Sequence, residues 1–264
     1  MTAAAARQRW RITAGVLCAL LALAGCQRDS AVPAAMPAAA ASTSAPPKAT
    51  APVLAFVPNQ RSGTVSVIDT ASDTVVRTLS AQGALGKRLQ QVLPGPQGQL
   101  YLIDAEHHRL IELDTTQDRV LRSVEIGENA EGIALSPDGT QFAICVEGQN
   151  QVMLIDVGQF KVQQVIATRG QAPEHCAYTP DGKWVLTSNE GSNDMDMIDL
   201  ATHSSRGVVA TSGHPRGMAF APDGHSVYIA QETANVVDVI DLQTRTRRAS
   251  IPAGVRTAGV TLSA

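Results

Sequence analysis

A four-residue turn recurs on a schedule. Ser136-Pro137-Asp138-Gly139 is followed by Thr179-Pro180-Asp181-Gly182 and Ala221-Pro222-Asp223-Gly224, at intervals of 43 and 42 residues. Pro presets φ, Asp bonds nearby backbone and Gly accepts positive φ, so a single copy says only that the chain turns. The interval says more. A second motif keeps the same period: TVSVIDT at 64–70, LIELDT at 110–115, QVMLIDV at 151–157, DMDMIDL at 194–200 and VVDVIDL at 236–242. Its aspartates, Asp69, Asp114, Asp156, Asp199 and Asp241, are spaced by 45, 42, 43 and 42 residues. Repeats of about 40–45 residues holding several short strands are the signature of propeller blades.

Within each unit the order is constant. An apolar run such as GIALS enters the PDG turn, a second run such as SVYIAQ follows, then the VID run, a polar turn and a last run such as TVVRTLS. Four short alternating or apolar runs divided by turn residues read as a four-stranded antiparallel sheet, with PDG joining its first and second strands. The copy at 95–98, GPQG, keeps Pro96 and Gly98 without the Asp. The first unit starts at its second strand, VLAFVPN, and the chain finishes in TAGVTLSA, which aligns with a first strand. Pairing those two would complete a blade and remove the exposed edges that invite aggregation. The expectation is an all-β fold over residues 53–264: a monomeric five-bladed β-propeller of four-stranded antiparallel blades, closed by the C-terminal strand.

These residues resemble the YVTN-type β-propeller repeats, and TVSVIDTASDTVV at 64–76 is nearly a copy of that consensus. The resemblance covers residues 53–264 and implies the propeller fold. Its members often carry seven blades, so five is a departure; a partial ring completed by self-association is the other architecture it allows. Some relatives sit beside quinone-cofactor or haem-dependent oxidation systems.

The N-terminus has its own composition. Arg7, Arg9 and Arg11 precede an uncharged run, Ile12 to Gly25, which is too short to span a bilayer comfortably but suits the apolar region of an export signal. It ends in Leu23-Ala24-Gly25-Cys26, which resembles the lipobox of bacterial lipoproteins. That resemblance implies a leader at 1–25, lipid attachment at Cys26 and, with Gln27 next, sorting to the outer membrane, facing the periplasm. Residues 26–52 are rich in Ala, Pro, Ser and Thr and have too little to bury, so they read as a disordered tether. Losing the three leader arginines takes the formal charge from −3 to −6, which offers no basic face for nucleic acid.

Chemistry-bearing residues collect in the loops that lead into each first strand. A propeller gathers these loops around one mouth of its central channel, which would bring together Arg88, Glu131, Glu174, His175, His214, Arg216 and Arg256, with Lys87 and Gln90 beside them. Binding residues concentrate on loops held by a rigid scaffold. Mixed charge suits a small polar or zwitterionic ligand, or a protein loop. Charges at a solvated rim contribute little to stability, so changes at Arg216 or Glu174 are expected to leave melting unchanged. The five repeated aspartates read as turn caps rather than a metal ladder. His107, His108, His203 and His225 fall in turns, and no metal-ligand spacing is present.

No CxxCH, GxGxxG after a strand, phosphate loop or GxSxG elbow occurs, so no cofactor is called. Cys145 and Cys176, the cysteines beyond Cys26, read as free buried thiols rather than a disulfide. The functional expectation is an envelope-anchored, non-catalytic binding or scaffolding module for a protein or small polar ligand. The alternatives are an accessory subunit or enzyme of a redox system and a carrier for a metal complex; fold resemblance alone does not choose between them.

Overall fold

The computed structural model describes residues 53–263; the expected leader, lipidation site Cys26 and tether lie outside the described residues. Nineteen strands form five antiparallel sheets in chain order. The first holds β1 (Leu54–Asn59), β2 (Thr64–Asp69) and β3 (Thr74–Leu79), and the second holds β4 (Leu89–Pro94), β5 (Gln99–Asp104), β6 (Arg109–Asp114) and β7 (Arg119–Glu125). The third holds β8 (Ala130–Leu135), β9 (Gln141–Val146), β10 (Gln151–Asp156) and β11 (Lys161–Ala167). The fourth holds β12 (Pro173–Tyr178), β13 (Trp184–Asn189), β14 (Asp194–Asp199) and β15 (Ser204–Ala210). The fifth holds β16 (Pro215–Phe220), β17 (Ser226–Gln231), β18 (Val236–Asp241) and β19 (Thr246–Pro252).

Both repeated motifs do what their chemistry dictates. The PDG turns join the first and second strands of the third, fourth and fifth sheets, with Gly139, Gly182 and Gly224 at φ of 73°, 68° and 68°. Each of the five VID aspartates accepts a backbone N–H from the turn that follows it: Asp69 from Ala71, Asp114 from Thr116, Asp156 from Gln159, Asp199 from Ala201 and Asp241 from Gln243. They are turn caps, one per blade.

Alternation along the strands makes the core. On β5, Leu100 and Leu102 face the first sheet, while Tyr101 and Ile103 face the third. Successive sheets are joined in this way by four buried clusters, one at each junction from first to fifth. Cys145 and Cys176 lie together in the cluster between the third and fourth sheets as free thiols, with Cys176 Sγ 3.2 Å from Ala143 O. Burial pushes the Cys145 thiol up, and neighbouring Cys176 adds to the shift.

The expected closing strand is not formed. The first sheet has three strands, and residues 253–263 form no strand. The terminal segment starts as a first strand should: Arg256 has φ 58° and its N–H bonds Asn235 Oδ1 at 2.9 Å. Its next backbone bond is then to the fifth sheet, from Gly217 N–H to Ala258 O at 3.1 Å, and it makes no ladder with β1. The physical reason is a shortage of apolar grip. Val260 and Leu262 are its only large apolar side chains past Val255, Leu262 is exposed, and among the described residues no buried cluster joins the fifth sheet to the first.

Candidate functional site

The mouth is built by a turn that repeats like the blades. Immediately before the first strands of the third, fourth and fifth sheets, Asn129, Ala172 and His214 take φ of 52°, 52° and 53°. Such left-handed backbone is unusual for non-glycine residues and needs external support. Asparagines from the preceding sheets supply it, because the N–H groups of Ala172 and His214 donate to Asn150 Oδ1 and Asn193 Oδ1 at 2.8 and 2.6 Å. The second residue of each first strand then points into the channel: Gln90, Glu131, Glu174 and Arg216.

Those side chains touch one another. Gln60, from the loop after β1, donates Nε2–H to Gln90 Oε1 at 2.7 Å, and Gln90 Nε2–H donates to Glu131 Oε1 at 3.2 Å. Glu174 stands close enough to Glu131 for its charge to raise that carboxyl, and Arg216 Nη1 lies 2.6 Å from Glu174 Oε1. A row of polar side chains therefore runs across all five sheets. It borders a cavity of about 640 Å³ lined also by Arg88, Gln91, His175 and Glu190.

Gly132 permits the tightest step of this chain. A Cβ there would sit 2.5 Å from Glu174 O and 2.8 Å from His175 Cα, so any side chain would push β8 and β12 apart. The absence of one brings the two carboxyls together.

Electrostatics at the mouth are divided. Burial first, then the charges of Glu174 and Glu147, raise the Glu131 carboxyl to about 7. Glu147 is also raised, mainly by burial. Glu232 is lowered, chiefly because Arg256 hydrogen-bonds it. Arg216 is shared among Glu174, Glu190 at 3.0 Å and Glu232 at 3.6 Å, while His214 Nδ1 lies 3.4 Å from Glu232 and 3.7 Å from Glu190.

Of the seven residues named from sequence, Arg88, Glu131, Glu174, His175 and Arg216 line one cavity. His214 and Arg256 do not line it; they gather beside it around Glu232, with Arg256 Nη2 2.5 Å from Glu232 Oε1. The solvated-rim expectation fails for Glu174, which is only 2% exposed. Its Oε2 has no hydrogen-bond partner, although His175 Nδ1 comes within 3.5 Å. Arg88 is the reverse case, since among the described residues it forms no ion pair and its nearest bond is a 3.5 Å contact to Asn129 Oδ1. Sequence reasoning missed Gln60 and Glu190. Both follow the position occupied by Asn59, Asp104, Val146, Asn189 and Gln231, and an acid at the next residue in three copies, Glu147, Glu190 and Glu232, is the signal that could have found them. No group of three or more His, Cys, Asp or Glu among the described residues is placed to hold a metal ion. No helix among them is long and apolar enough to cross a membrane.

Comparison with known proteins agrees on architecture. A family model described as "Lactonase, 7-bladed beta-propeller" matches residues 99–207. Hydrazine synthase of Kuenenia stuttgartiensis is similar in structure at a TM-score of 0.56 and 23% identity, over 61% of this chain and 47% of that one. The dihydro-heme d1 dehydrogenase NirN, solved in complex with DHE, is similar at a TM-score of 0.58 and 17% identity, over 76% of this chain and 44% of that one. The fold is all-β and propeller-like. This chain spans less than half the length of either solved chain, and the family description names seven blades where the described residues form five sheets. No curated protein matches.

Proposed function

We propose that the chain is an envelope-anchored binding module, lipidated at Cys26, whose five sheets act as the blades of one propeller and hold a small polar ligand of mixed charge at the channel mouth. One observation carries this reading: a buried carboxylate with an unpartnered oxygen borders a polar cavity to which all five sheets contribute. A buried polar atom without a partner is destabilising, and retaining one beside an accessible cavity is the mark of a group kept for a ligand. Arg88 supplies a free guanidinium for an anionic group, and Glu131 with Glu174 supplies acceptors for a donor. No step of bond making is assigned to the site.

The test is capture by the full chain from a fractionated small-molecule extract of bacterial envelopes, read by native mass spectrometry. A bound mass should be retained by Arg245→Ala, which alters the separate cavity near Trp184 and Asp223, and lost in Arg88→Ala and Glu131→Gln. The opposite pattern moves the site to that cavity between the fourth and fifth sheets. Membrane fractionation of Cys26→Ser checks the anchor, with release from the membrane and loss of acyl mass expected. The alternative, a subunit of a redox system, draws on the names of the two similar solved structures at identities that carry fold alone. A visible absorption band copurifying with the chain from its own membranes would favour it.

A further inference from the structure

Glu131 and Glu174 line one cavity wall on strands packed closely at Gly132, and two neighbouring carboxyls are costly to keep charged together unless a cation or a proton answers both. Around Glu131 and Glu174 no neighbouring donor makes a hydrogen bond to Glu174 Oε2. Gln90 gives its N–H to Glu131 Oε1. Arg216 Nη1 serves both Glu174 Oε1, the other oxygen, and Glu190, while its Nε lies 3.6 Å from Glu232 and makes no hydrogen bond. His175 Nδ1 is within 3.5 Å of Glu174 Oε2 yet makes no hydrogen bond to any partner. What remains is an unpartnered oxygen of Glu174 and the Glu131 carboxyl beside it, both on the cavity wall.

We infer that the Glu131–Glu174 pair is the receptor for a protonated amine, and that binding the amine expels the proton that Glu131 otherwise holds. This rests on the reading of the mouth as a binding site. An ammonium brings three N–H donors and a full charge, which satisfies both carboxylates at once where a proton neutralises only one. The exchange balances: ammonium enters, one proton leaves, and no bond to carbon changes. Arg88, unpaired on the same wall, receives a carboxylate carried by the same ligand, so an amine bearing an acid fits both ends and a dianion fits only one.

The charged and titratable groups facing Glu131 are Glu174 and His175 on β12, Glu147 after β9, Glu190 after β13, Arg216 on β16 and Arg88 before β4. The Glu131 carboxyl titrates at about 7, while an alkyl amine stays protonated to roughly 10. Its ionised fraction therefore rises from roughly one tenth at pH 6 to nine tenths at pH 8, and amine affinity should rise about tenfold.

Calorimetric titration of the full chain with cadaverine, L-lysine and glutarate at pH 6, 7 and 8, in two buffers of different ionisation heat, tests this. Cadaverine and lysine should bind about tenfold more tightly at pH 8 than at pH 6, releasing a proton, and glutarate should not bind. Glu131→Gln should flatten the pH profile, His175→Gln should preserve it, and Arg88→Ala should weaken lysine while sparing cadaverine. Binding of glutarate alone, lost in Arg88→Ala, would overturn the amine assignment and leave the mouth as a binding site. Silence from all three probes would also overturn the assignment, and extract capture by the variants would then decide the mouth independently.

Discussion

Among the positions of this repeat that carry acidic residues, the hairpin turn and the mouth show the same carboxyl group behaving in opposite ways. At the hairpin turns, Asp114, Asp199 and Asp241 are held below the ordinary carboxylate range, Asp114 and Asp241 chiefly by backbone N–H groups and Asp199 chiefly by Arg206. At the mouth, Glu131 is raised, because burial and like charge outweigh the attraction of Arg216. The turn position builds each blade locally. The mouth position exists only where blades meet, and its acids face one another across a junction. Repetition thus makes a turn cap in one place and a buried carboxyl crowded by like charge in the other.

The sharpest way to break the contrast is to remove a cation from each place. Arg216→Ala leaves Glu174 buried without its counter-ion and should lower stability by about 3–5 kcal/mol, read by urea denaturation. Arg206→Ala strips a solvent-facing partner from Asp199 and should scarcely move the same midpoint. Equal losses would mean that the mouth is as solvated as the turns.

Next comes the spacing of the mouth. Gly132→Ala should destabilise by about 1–3 kcal/mol through the clash with the β12 backbone, and by separating the carboxyls it should return Glu131 towards an ordinary value. Carbonyl-carbon NMR titration reads that shift; an unchanged Glu131 profile would detach its titration from Glu174.

The pH dependence carries a sign check. A raised native pKa gives stability that is complete below the unfolded value near 4.3 and lost as pH climbs through about 7. Glu131→Gln should therefore raise the melting temperature relative to the parent at pH 8 and leave it close to the parent at pH 5. Lowered aspartates work in reverse: their contribution is complete above the unfolded value near 3.9 and fades as pH falls through the native values. Replacing Asp114 or Asp241 by Asn should produce the smallest change, confined to neutral pH and vanishing in acid. A melting difference that persists below pH 3 would show that the caps act through shape rather than charge.

Much of the fold was legible because its determinants are local. PDG and VID each close a turn with their own atoms, and β5 reports burial on both faces through Leu100, Tyr101, Leu102 and Ile103. The mouth was half legible: equivalent positions in a repeat must share a ring, so Arg88, Glu131, Glu174, His175 and Arg216 could be placed together before any distance was measured. His214 and Arg256 share the loop but turn to Glu232, a choice made by side-chain direction that no alignment carries.

The sequence by itself determined the blade, its turns and the loop from which the mouth is made, because each depends on residues a few positions apart. Only the tertiary structure decided that Glu174 is buried, that Arg216 is shared while Arg88 is free, and that the terminal segment bonds β16 and makes no ladder with β1. Those outcomes hang on contacts between residues about 40 or more positions apart, where a side chain's charge state follows from which neighbour exists to answer it.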